Sequence, residues 1–110
     1  MRWRGHFPLS HPDVREVEFN GHLLSFDLAL GCRLTRWQYQ GFELIGSQGS
    51  DPVENGCYPM APWAGRLADN AFIWASESTS LDANYQGFAL HGFLLDRPVG
   101  EFSIVELPDA

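Results

Sequence analysis

Cysteine is scarce in this chain: Cys32 and Cys57 are the two among 110 residues. Two cysteines cannot build the multi-bridge framework of a small secreted domain. Neither has a second Cys or His at zinc-finger spacing, so the expectation is two free, partly buried thiols. Positive charge is short as well. Seven basic residues face fourteen acidic ones, for a formal charge of −7. That argues against binding a nucleic-acid backbone, which requires a basic face. No apolar run is long enough to span a membrane, and Met1-Arg2-Trp3-Arg4-Gly5-His6 leads into no apolar core of a secretion signal. The expected location is the cytoplasm. Gly46-Ser47-Gln48-Gly49 lacks the Gly-Lys-Ser/Thr ending of a phosphate-binding loop and reads only as flexible backbone. A helical period of useful length, an internal repeat and a domain boundary are also missing. With 45% hydrophobic residues, the chain suits one domain, residues 1–110, with a modest core.

What is present is a β pattern. Residues 1–14 form a mixed arm with Pro8 and Pro12; its His6 and His11 fit no metal motif, and no metal is expected. Val17-Glu18-Phe19 then alternates, Asn20-Gly21 follows, and Leu24-Ser25-Phe26-Asp27-Leu28 alternates again. Asn-Gly between alternating runs is the strongest short hairpin signal, because both turn residues must accept positive φ. Leu24, Phe26, Leu28 and Leu30 are expected to share one buried face. A strand from Cys32 to Tyr39 is expected next, with Leu34 on one face and Trp37 and Tyr39 on the other. Phe42 to Ile45 follows as a short strand after Gly41.

Gly46 to Gly56 reads as a loop. Pro59 and Pro62 enforce an extended path from Tyr58 to Pro62, which leads to Arg66. Ala71 to Trp74 reads as a strand, Ser76 to Ser80 as a turn, and Tyr85 to Leu90 as an extended piece ending at His91-Gly92. Leu94 to Pro98 is a connection, and Glu101 to Leu107 is a last alternating strand stopped by Pro108.

Two polar groups stand out in the apolar, turn-rich stretch from Gly56 to Gly92. Arg66 offers a fork of donors suited to hydroxyl-rich or carboxylate ligands. His91 brings an imidazole, a side chain suited to proton transfer. Each has a plainer alternative: a core histidine with both nitrogens satisfied, and a surface ion pair between Arg66 and Asp69. Trp63 and Trp74 are expected to pack in the core rather than to stack on a ligand.

This stretch resembles the aldose 1-epimerase (galactose mutarotase) family. The matching segments, in order and at matching gaps, are Pro62-Trp63-Ala64-Gly65-Arg66-Leu67, Phe72-Ile73-Trp74, Leu81-Asp82-Ala83-Asn84 and Ala89-Leu90-His91-Gly92. Gly65 stands where many members have asparagine, Phe88 where a polar residue is common, and Ser76 and Thr79 replace a usual Gly and Tyr. The resemblance implies an all-β, antiparallel β-sandwich, the N-terminal part of a galactose-mutarotase-like β-supersandwich. It implies exchange of the α and β anomers of a free aldohexose by acid–base ring opening, with no metal and no cofactor. It gives His91 a place beside the sugar ring oxygen as a catalytic and substrate-binding group. Arg66 and Asn84 join it as substrate-binding residues, although Asn84 equally reads as the shaper of a turn. The family's second histidine, sugar-binding aspartate and basic glutamate lie beyond residue 110. The rival expectation is a non-catalytic carbohydrate-binding or sugar-sensing module. The expected partner is a small-molecule sugar, with no nucleic acid and no membrane. A sandwich cut partway would also expose sheet edges through which a homodimer forms.

Overall fold

A computed structural model describes residues 13–45, 50–100, 103 and 105. Six strands are present among them: β1 (Val14–Phe19), β2 (His22–Asp27), β3 (Arg33–Tyr39), β4 (Phe42–Ile45), β5 (Ala71–Trp74) and β6 (Glu77–Ser80). All pairings between them are antiparallel. They make a four-stranded sheet in the order β1-β2-β3-β4 and a separate β5-β6 hairpin. The only helical piece among the described residues is the single 3-10 turn Ala68–Asn70. The fold is all-β, as the alternating patterns require.

The sheet grows from turn chemistry. Asn20 and Gly21 have φ of 46° and 80°, the left-handed pair that matches the twist of two adjoining strands, and Phe19 pairs directly with His22. Gln40 and Gly41 repeat the device at φ 48° and 87°, setting Tyr39 opposite Phe42. A bulge then changes the expected faces. Ser25 pairs with Arg36 but Phe26 with Leu34, leaving Thr35 unopposed. Leu34 therefore joins the face of Trp37 and Tyr39 instead of opposing it. The strand itself starts at Arg33, because Cys32 has φ of 57° and cannot be extended.

The described core is small. Val17, Leu28, Ala89, Leu90 and Leu95 are buried, each large aliphatic side chain contributing about 1.5–3 kcal/mol. Leu24 and Phe26 are half-buried in β2, whereas Leu28 lies past its end and Leu30 is exposed. The four leucine and phenylalanine positions thus do not form one buried row.

Two further expectations are corrected. Ser76 to Ser80 is not a turn: the turn is Ala75-Ser76, both with positive φ, and Glu77–Ser80 is the return strand. Tyr85 to Leu90 is not a continuous extended piece. Tyr85 pairs with Phe88 around a tight turn at Gln86-Gly87. The arm of residues 1–12, with His6 and His11, and most of the strand from Glu101 to Leu107 lie outside the described residues.

Candidate functional site

The site is assembled from two short segments that pair like strands. Arg66 bridges Leu90 in antiparallel fashion. On either side, the N–H of Leu67 donates to the Ala89 carbonyl at 3.1 Å and the N–H of His91 donates to the Gly65 carbonyl at 2.9 Å. The 58–62 stretch that leads in is pinned as well: Ala61 bridges Gly92 in parallel, and the Phe93 N–H donates to the Ala61 carbonyl at 2.7 Å. Gly92 must be glycine here. Its φ is +79°, and a Cβ would sit 1.9 Å from the Ala61 carbonyl oxygen.

His91 is half-buried with a left-handed backbone, φ 56°. Its Nδ1 accepts the Gly65 N–H at 2.9 Å. That bond fixes the tautomer: the neutral ring carries its proton on Nε2. The Tyr58 ring lies against it, centroids 5.9 Å apart and tilted by 53°. One nitrogen is thus satisfied by the backbone, while the other remains as a donor.

Arg66 is exposed, its guanidinium carbon 5.0 Å above the centre of the Phe88 ring. It makes no ion pair with Asp69 among the described residues; the pair present there joins Arg36 to Glu43. Beside it, the Tyr85 hydroxyl donates to Asp51 Oδ2 at 2.8 Å. The Val53 N–H, the largest influence, and the Tyr85 hydroxyl hold the Asp51 carboxyl below its usual range. The same hydrogen bond pushes the Tyr85 phenol up, and the positive charge of Arg66 pulls it partly back.

Asn84 is committed to the backbone. Its Nδ2 donates to the carbonyls of Leu90 and Gly92, at 2.9 and 3.3 Å, and its Oδ1 accepts the Leu90 N–H at 2.8 Å. It braces the turn that carries His91 from beneath. Trp63 packs as expected, its Nε1 donating to the Ala89 carbonyl at 3.3 Å and its ring edge-on to Phe93 at 5.2 Å. Trp74 does not: it is 77% exposed on β5. A cavity of about 140 Å³ lies next to Trp63, with Asp82, Asn84, Asp96 and Arg97 in its walls and neither Arg66 nor His91 among them. The structure thus brings Arg66 and His91 onto adjoining paired segments at the surface, with Asn84 as a support.

Sequence reasoning missed Arg33. It is 1% exposed at the start of β3. One terminal nitrogen donates to the Asn55 carbonyl, the other to the Leu95 carbonyl at 3.0 Å. Its Nε has no partner among the described residues, and its plane covers the Tyr58 ring at 4.4 Å. Burial lowers its pKa, against the attraction of Tyr58 and Asp27. Nothing in the sequence marks Arg33, since β3 carries a second arginine, Arg36, which is exposed. Of the cysteines, Cys32 is half-buried, with burial raising its thiol pKa, whereas Cys57 is exposed rather than partly buried.

Compared with known proteins, the fold is that of an antiparallel β-sandwich of the aldose epimerase kind. The likeness is to a solved structure from Escherichia coli K12, a protein provisionally assigned as an aldose 1-epimerase. The TM-score is 0.65 and the identity 18%; the likeness covers 77% of this chain and 30% of that one. The chain therefore spans less than a third of the length of the protein it matches. No family model and no curated protein matches it. Among the described residues no helix is long and apolar enough to cross a membrane.

Proposed function

We propose that this chain carries part of an aldose 1-epimerase-type sugar site. In this reading Arg66 hydrogen-bonds sugar hydroxyls and the Nε2–H of His91 donates to the ring oxygen of a free aldohexose. Mutarotation needs the anomeric hydroxyl deprotonated and the ring oxygen protonated, so that the C1–oxygen bond breaks and the aldehyde rotates before reclosure. A positioned proton-transfer group contributes about 10²–10⁴ in rate. The carrying observation is the Gly65 N–H bond to His91 Nδ1, because it leaves Nε2 as the donor nitrogen on the segment that pairs with that of Arg66. Asn84 serves by holding the His91 turn; no cofactor is called for, and nucleic acid and membrane are not partners. The same chemistry suits a cytoplasmic protein.

Polarimetry on freshly dissolved α-glucose and α-galactose tests this. The expected result is tryptophan fluorescence that responds to sugar, with weak anomer exchange from these 110 residues and none in a His91→Ala variant. A rate unchanged by that substitution removes His91 from the mechanism. Sugar binding without exchange is the second reading, a carbohydrate-binding module. In it Arg66 and His91 hold the sugar without an acid–base pair. Pairing of two copies through the β4 edge, where Phe42 and Leu44 are 74% and 54% exposed, is a further expectation, read by light scattering.

A further inference from the structure

Tyr58 touches two groups that the sequence keeps far apart. Its ring lies under the Arg33 guanidinium at 4.4 Å and against the His91 imidazole with centroids 5.9 Å apart. Arg33 also ties together the chain on both sides of that contact. Through Asn55 it holds the run that leads into Tyr58, and through Leu95 it holds the run that follows His91. The first run is fastened again to β3 by the reciprocal bonds between Leu34 and Cys57, at 2.8 and 2.9 Å. Tyr58 adds its own anchor, its hydroxyl donating to the Val53 carbonyl at 3.3 Å.

A guanidinium suits such a place because it is planar, always charged, bonds two carbonyls at fixed angles and stacks on an aromatic face. An arginine so deeply buried is rare, and stability alone gives it no reason to be there, since buried charge costs more than an apolar side chain of the same length. We propose that Arg33 is a positioning residue for His91, acting through Tyr58. By fixing the Tyr58 ring it keeps the imidazole seated on the Gly65 N–H, in the tautomer that presents Nε2–H outward. This role rests on the reading of His91 as the functional imidazole, but its structural content is tested on the ring itself.

The test is a long-range proton–nitrogen NMR spectrum of the ¹⁵N-labelled chain, taken above the imidazole pKa. His22 serves as an internal reference, because its Nδ1 accepts the Trp37 Nε1–H at 3.1 Å within the four-stranded sheet. In the parent chain both rings are expected to show a protonated Nε2 and an unprotonated Nδ1. In Arg33→Met the two His91 nitrogen shifts are expected to collapse toward their tautomer average while His22 keeps its pattern. His91 shifts that stay apart in that variant overturn the proposal. If both rings collapse, the variant has lost its sheet, and Tyr58→Leu decides, since it leaves the Arg33 hydrogen bonds in place. There, collapse at His91 alone supports the role and an unchanged His91 overturns it. A sugar titration on the same samples separates the two readings: no sugar response with the tautomer effect intact sinks the sugar site and keeps Arg33.

Discussion

The backbone N–H of Gly65 points at Nδ1 of His91 from 2.9 Å, so one glycine decides which end of the imidazole is free. Gly65 has φ of +80° and open space where a Cβ would go. Replacing it by alanine therefore costs backbone strain without a clash, about 1–2 kcal/mol. Gly92→Ala adds a collision with the Ala61 carbonyl oxygen and is expected to cost about 3 kcal/mol or more, strain and overpacking together. Urea unfolding of the two variants checks the order; equal losses would contradict it.

His91 itself is best removed by asparagine. Its backbone is left-handed, a conformation that Asn tolerates better than Ala. His91→Asn is expected to abolish anomer exchange while keeping more stability than His91→Ala. Polarimetry and thermal unfolding of the pair give both numbers.

Arg66 is exposed and bonded to no carboxylate among the described residues. Arg66→Ala should leave stability within about 0.5 kcal/mol of the parent. It should weaken sugar binding about 10- to 100-fold, the worth of hydrogen bonds to a charged group. Fluorescence titration beside a melting curve measures the contrast.

Asn84→Ala should behave in the opposite way. It strips partners from the N–H and carbonyl of buried Leu90, an expected loss of about 1–3 kcal/mol. Any drop in sugar affinity should track that loss of the turn, and chemical denaturation reports it.

Acid should weaken the fold through Asp51. Its carboxyl is held below the usual range by the Val53 N–H first and the Tyr85 hydroxyl second. The stabilisation is therefore complete above the ordinary Asp pKa of about 3.9 and lost as pH falls through the lower folded value. Tyr85 runs the other way. Its raised pKa means stability present below about 10 and lost as pH climbs through the folded value. Melting temperatures across pH should show both flanks, and Asp51→Asn should flatten them.

The hairpins were legible wherever their turns carry the expected residues. Asn20-Gly21 gave β1 and β2 their register because Asn and Gly accept positive φ cheaply. Ala75-Ser76 adopts the same geometry with residues that disfavour it, so the β5-β6 turn was invisible and its return strand was misread. Gln86-Gly87 did carry a glycine, but Tyr85 and Phe88 on either side imitate a strand. At the candidate site, the segments of Arg66 and His91 were readable as motifs, and the structure pairs them. Arg33 was not, because composition gives no hint that one arginine of several will be buried. The Thr35 bulge likewise moved Leu34 to the other face without leaving a mark in the alternation.

The β5-β6 hairpin sits in the chain between the two halves of the pairing at Arg66 and Leu90, yet none of its residues is buried. It works as a handle rather than a hinge. A dye or a short peptide grafted at Ala75-Ser76 would ride outside the molecule, giving a reporter tethered to both arms of the clasp without occupying it.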